Sequence, residues 1–261
     1  MNPFATLSLP SATPKATRAV KIFGGEVDLV WLPERARRRC PPQVLLHADR
    51  APRILAEERL WQCDRSAAVL TPNRYPFARR AALLWSARPQ READAELIAL
   101  ALELAEPFGG TALLNTLGAA ATQPRAHLHL VHERLGFLAG LATVPARLEH
   151  EDPALAAVDV VRLAPPFPGL VLGVRGARAA RAAAAARLLA LRVSAAANLV
   201  SDGTTTWFVP RRCETPAPHV SRPLGCAELW GRFCYEDEAE FAAADAASLA
   251  AAWAAALLPP A

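Results

Sequence analysis

Only three stretches of this chain combine length, freedom from Gly and Pro, and a helix-forming composition of Ala, Leu, Glu and Arg: about residues 91–106, 177–197 and 237–258. With 23 prolines and 13 glycines in 261 residues, the rest is cut into short pieces. Many of those pieces are branched or aromatic runs of strand character: 19–23 (AVKIF), 27–32 (VDLVWL), 67–70, 81–85 (AALLW), 112–115, 126–131 (AHLHLV), 170–172, 198–201 (NLVS), 205–209 (TTWFV) and 228–235 (ELWGRFCY). Strand pairs interrupted by single helices predict an α+β fold rather than a regular βα alternation.

The two halves repeat one order of parts. The first has a strand pair, the helix at 91–106, then strands ending in AHLHLV. The second has a strand, the helix at 177–197, then a strand pair and WGRFCY. This predicts two related half-domains, 21–148 and 149–261, joined in the proline-bearing stretch around 144–168. Residues 1–20 form an N-terminal segment whose order the sequence leaves open.

Composition narrows the class. A chain with 52% hydrophobic and 21% charged residues is neither a disordered tail nor a disulfide mini-protein. The uncharged runs at 107–124 and 246–261 are broken by Gly, Asn and Thr or consist mostly of Ala, so no membrane span is expected. The N-terminus lacks a basic start followed by an apolar stretch, and a cytoplasmic protein is expected. The cysteines Cys40, Cys63, Cys213, Cys226 and Cys234 match no metal or redox spacing and read as buried thiols. A net charge of +4, carried almost entirely by Arg, suits a small anionic ligand as well as RNA; the one basic cluster, Arg35–Arg39, is short. No nucleic-acid partner is expected.

Three of the six histidines, His127, His129 and His132, fall within six positions. In a strand, His127 and His129 share a face with Val131 while His132 points away. Two neighbouring imidazoles can be plain polar residues on a sheet face, metal ligands lacking a third partner at familiar spacing, or a nucleophile and its helper in phosphorus chemistry. The context favours the last. Asn115 to Val131 reads NTLGAAATQPRAHLHLV, where small residues would let backbone amides approach a ligand, and Thr122 and Gln123 can donate to phosphate oxygens. Asparagine is scarce, and the internal ones, Asn73, Asn115 and Asn198, all sit in segments with other signals.

These residues resemble a known family. N-x-L-G-A-x-A-T followed by H-L-H, at Asn115, Leu117, Gly118, Ala119, Ala121, Thr122, His127, Leu128 and His129, is similar to the histidine-triad branch containing galactose-1-phosphate uridylyltransferase, diadenosine tetraphosphate phosphorylase and the GDP-hexose phosphorylases. Weaker matches lie at 70–84, 198–214 and 227–241. The resemblance implies an HIT-like antiparallel sheet in two tandem half-domains and a metal-free, cofactor-free nucleotidyltransferase, monomeric or homodimeric. Its substrates would be a nucleotide or nucleotide-sugar and phosphate. It further implies that His129 attacks the α-phosphorus, His127 holds or polarises, Asn115 and Thr122 contact phosphates with Gln123 beside them, and Asn73 lies near the nucleotide. Two departures qualify this: Val131 stands where the phosphorylases carry Gln and the hydrolases His, and Thr122 and His127 are spaced further apart. A weak or inactive nucleotide-binding relative, or a hydrolase, are the alternatives. The second half has no H-x-H, so one active site per chain is expected.

Overall fold

Apolar residues alternating with polar ones let short strands bury one face, and the described residues form thirteen strands in two sheets. The computed structural model describes residues 2–37, 50–147, 152–192 and 194–260. Arg38, Arg39, Cys40 and the expected junction at 148/149 lie outside the described residues. After a helical turn, α1 (Pro3–Thr6), strands β1 (Ala16–Ile22) and β2 (Gly25–Trp31) form a hairpin around Phe23 and Gly24, both with positive φ.

The main sheet has ten strands: β3 (Trp61–Cys63), β4 (Ala68–Pro72), β5 (Ala82–Ser86), β6 (Thr111–Asn115), β7 (His127–Val131), β8 (Thr143–Pro145), β9 (Asp159–Leu163), β10 (Leu172–Arg175), β11 (Ala196–Ser201) and β12 (Thr205–Arg211). All pair antiparallel, in the order β3-β4-β5-β7-β6-β11-β12-β10-β9-β8. The order mirrors itself about the β6–β11 pair, where Asn115 lies opposite Asn198. In chain order three strands, a helix and two more strands recur twice, from β3 to β7 and from β8 to β12, within one continuous sheet. β13 (Arg232–Tyr235) joins β2 in parallel to complete a separate three-stranded sheet.

The crossing helices α3 (Ala95–Ala105) and α6 (Arg178–Leu191) cover one face, burying Leu84, Leu114, Leu128, Leu199 and Phe208 beneath them. Asp94 caps α3 by accepting from Leu97 N–H at 2.8 Å. The other face buries Leu113, Val131, Val200, Trp207 and Val209 against the small sheet, α4 (Phe137–Gly140), α7 (Cys226–Trp230) and α9 (Ala246–Ala256). Of the remaining helices, α2 (Ala51–Glu57), α5 (Pro153–Ala156) and α8 (Glu238–Ala243), α2 and, through Glu240, α8 border the site described below. In the second half, the positions of β12 that share the histidine-bearing face are Trp207 and Val209, both sealed in this core.

Three of the expected elements differ from the sequence reading, and β3, β8, β9 and α2 lie in no expected element. The run at 228–235 opens as helix α7 and becomes strand only after Gly231, whose φ of +110° ends the helix in the left-handed region. The helix expected through 258 is two helices, because Ala244 is extended and Asp245 starts α9 by capping Ser248 N–H. The helix expected through 197 stops at Leu191, since Ala196–Ser201 is taken by β6 and β12 into the sheet centre, where pairing outweighs the helix preference of alanine.

Candidate active site

Along β7 the alternation sends Leu128 and Leu130 under the helices and His127, His129 and Val131 to the opposite face. Register places His127 across from Trp85 of β5, and the rings stack with centroids 4.4 Å apart and planes 27° from parallel. Trp85 is itself anchored by donating its indole N–H to Thr71 Oγ1 at 2.8 Å. His127 is buried, and its Nδ1 lies 2.8 Å from the carbonyl oxygen of Arg125. A carbonyl only accepts, so Nδ1 carries the proton and Nε2 keeps its lone pair. Burial pulls the His127 pKa below the ordinary histidine value, against the opposing pull of the Arg125 carbonyl, and the ring is neutral at pH 7.

This has a consequence for stability. The unfolded chain protonates this ring near about pH 6.5, the folded chain only at lower pH. Stabilisation by neutral His127 is therefore complete above about pH 6.5 and declines as pH falls below it. Urea titrations between pH 8 and 5 are expected to show a steeper acid-side loss for wild type than for His127→Asn, the difference reaching up to about 1.4 kcal/mol per pH unit. Parallel curves would contradict it.

His129 is half-buried, with its ring 5.7 Å from that of His127 and 5.6 Å from that of Phe77. Asn73 follows β4, and its Oδ1 accepts from Tyr75 N–H at 3.1 Å, which turns the amide nitrogen toward His129 Nδ1, 3.5 Å away. That distance is the long limit of a hydrogen bond.

The other two asparagines converge below. Asn115 Oδ1 accepts from Asn198 Nδ2 and from Cys226 N–H, both at 2.7 Å, which joins the two halves to the start of α7. Its own Nδ2 makes no hydrogen bond among the described residues and faces the cleft. Asn198 is fully buried, and its Oδ1 accepts from Arg211, itself buried. Asn198 thus supports the site without lining it.

A cleft of about 1240 Å³ opens on this face, and Asn73, Asn115, Thr122, Gln123, His127 and His129 all line it. The loop between β6 and β7 departs from the expectation that its amides would face a ligand. Ala119 and Ala121 donate their N–H groups to the Thr116 carbonyl, and Ala120 donates to Glu214 Oε1 at 2.7 Å. The side chains on this stretch that line the cleft are Asn115, Thr122 and Gln123, although Gln123 Oε1 is engaged by Arg50 N–H. Val131 is fully buried in the core. His132 does not replace it: β7 runs in unbroken register to Val131, and His132 stands outside the cleft with its ring edge-on to Phe4, 6.2 Å away.

The sequence missed much of the wall. Arg35, Arg50, Arg53 and Arg74 line one side, Arg222 and Glu228 the other. Arg74 pairs with Glu58 at 2.9 Å, and Arg222 pairs with Glu228 at 3.1 Å while Glu228 Oε2 caps Gly225 N–H. Arg35 and Arg74 stood in the RARRR and TPNRYP segments and Glu228 in the 227–241 match; Arg50, Arg53 and Arg222 have no local signal. Burial pushes the Cys226 thiol far up and that of Cys234 up to about 11, so neither is a thiolate nucleophile at neutral pH. Among the described residues no group of three His, Cys, Asp or Glu is arranged to hold a metal ion, and no helix is long and apolar enough to cross a membrane.

A mirrored ten-stranded antiparallel sheet, with a histidine pair on a central strand and helices packed against it, defines the α+β fold. The chain has the fold of yeast Ap4A phosphorylase Apa2, as expected from the resemblance. Against that enzyme in complex with Ap4A the TM-score is 0.69 at 11% identity, over 96% of this chain and 92% of that one. Without ligand it is 0.68 at 12%, again over 96% and 92%; in complex with AMP it is 0.62 at 12%, over 96% and 90%. No protein-family model and no curated protein sequence matches this chain.

Proposed function

We propose that this chain is a nucleotidyltransferase of the phosphorylase type, which cleaves a dinucleoside polyphosphate or nucleoside diphosphate sugar at the α-phosphorus. Phosphate or a sugar phosphate is the acceptor. The observation that carries this reading is that the six side chains picked from the sequence line one cleft, with two imidazoles side by side on one strand. The likeness in fold to an Ap4A phosphorylase supports it.

In the first step the unprotonated ring nitrogen of His129 attacks the α-phosphorus, a P–N bond forms, and the P–O bond to the leaving phosphate breaks with its electron pair. In the second, an oxygen of the acceptor phosphate attacks the same phosphorus and the P–N bond breaks, returning the pair to His129. His127, neutral and held by the Arg125 carbonyl, presents Nε2 as an acceptor that orients its neighbour. Thr122 and Asn115 donate to the oxygens where charge gathers. The arginines of the mouth supply positive field to a polyphosphate. The same proposal assigns the site to residues 21–148 and lets 149–261 complete the cleft with Arg222 and Glu228.

The buried Val131 and the inward loop amides favour one second reading, a nucleotide binder with weak turnover. Incubation with Ap4A and a panel of nucleoside diphosphate sugars, with and without phosphate, separates the readings. Phosphate-dependent cleavage and an acid-labile, base-stable nucleotidyl adduct on the protein are expected. Products formed without phosphate would indicate a hydrolase. Tight nucleotide binding without turnover or adduct would leave the binder.

A further inference from the structure

The loop that brings Thr122 and Gln123 to the cleft has a shape its own sequence resists. Gly118 takes φ +79° freely, but Ala120 sits at φ +74°, where a Cβ crowds the backbone. Such a conformation persists only when surrounding contacts fix it. The contact on Ala120 comes from the other half of the chain, 94 residues away: Glu214 Oε1 accepts its N–H at 2.7 Å, a charge-assisted bond. Glu214 is anchored in turn, its carbonyl accepting from Leu224 N–H at 3.0 Å and from Arg211 Nη2 at 3.5 Å. Asn198 Nδ2 holds the Ala119 carbonyl from beneath at 3.0 Å. Glu214 does not itself line the cleft.

We infer that Glu214 is a positioning residue: by holding Ala120 in the left-handed region it sets the loop so that the Thr122 hydroxyl and Gln123 amide meet the substrate's phosphates. The inference rests on the phosphorylase reading of the cleft. Its acceptor oxygen, rather than its charge alone, is what the loop requires, so Glu214→Gln retains the function that Glu214→Ala loses.

The test uses the full chain and two readouts, amide hydrogen exchange over residues 117–122 and kcat/KM for Ap4A with phosphate. Thermal melting of each variant establishes that it is folded. In Glu214→Ala the loop amides are expected to exchange at least about tenfold faster, and kcat/KM to fall on the order of a hundredfold. Glu214→Gln keeps both within about threefold of wild type, because its amide oxygen still accepts. Thr122→Val, costly in wild type, adds little in the Glu214→Ala background, since the hydroxyl has already lost its place. Wild-type exchange or wild-type kcat/KM in Glu214→Ala, equal damage from Glu214→Gln, or a full multiplicative effect of Thr122→Val would each overturn the inference. A wild type that turns nothing over removes the phosphorylase reading instead, and the exchange comparison of the two Glu214 variants still decides whether this carboxylate shapes the loop.

Discussion

Replacing His129 with alanine is expected to lower turnover by on the order of 10⁴-fold or more while the protein stays folded. The proposed reaction has no route around this ring, because without it the acceptor must displace the leaving group directly and no nucleotidyl adduct can form. The ring is half-buried and stands on the cleft face of β7 rather than in either core cluster. Its removal should therefore cost less than about 1 kcal/mol of stability. His127→Ala makes the contrast. That ring is buried, stacked on Trp85 and bonded to the Arg125 carbonyl, so its loss opens a void and strands an acceptor, and both activity and stability fall. Turnover and urea midpoints for the two variants check this. More than about a tenth of wild-type activity in His129→Ala, against the loss expected of a missing nucleophile, would remove His129 from the role.

The part of the site that could be read from the sequence is the part made by local period. His-Leu-His-Leu between apolar neighbours can bury its leucines only as a strand, and that fixes both imidazoles on one face whatever the tertiary context. The scarce asparagines were informative for a related reason: each has an amide that bonds across elements, at Asn73 to His129 and at Asn115 to Asn198. What the sequence could not show was partnership at long range. Small residues at 118–121 read as a loop open to ligand, yet the N–H groups of Ala119, Ala120 and Ala121 turn to Thr116 and to Glu214. Helix α2, which forms one wall of the cleft, buries only Ala51 and so lacks the apolar stripe that would have revealed it. The run ELWGRFCY has strand composition throughout, but its first residues are helical because Glu228 folds back to cap Gly225 and Gly231 ends the turn.

Arg211 is the residue whose loss should cost the fold most. Its guanidinium is 3% exposed and donates to Asn198 Oδ1, to the carbonyls of Leu224 and Ala256, and to those of Cys213 and Glu214. Burial lowers its pKa to about 10, against the opposing pull chiefly of Glu228, so it remains cationic at neutral pH. Arg211→Met fills much of the volume but takes their donor from the Leu224 and Cys213 carbonyls and the Asn198 oxygen in the interior, while the Ala256 and Glu214 carbonyls keep backbone N–H donors. A penalty of about 3–5 kcal/mol follows for breaking such a buried cluster from one side, which for a chain of this size lowers the melting temperature by roughly 6–20 °C. The damage should also reach the cleft, because Asn198 positions Asn115 and the Ala119 carbonyl, and Arg211 itself steadies the backbone of Glu214. Surviving Arg211→Met protein, assayed below its melting point, is accordingly expected to show weakened nucleotide affinity as well. A variant that melts within about 2 °C of wild type, where even 1 kcal/mol would move it further, would mean that water or neighbouring side chains satisfy those oxygens, and that the join between the two halves does not depend on this cation.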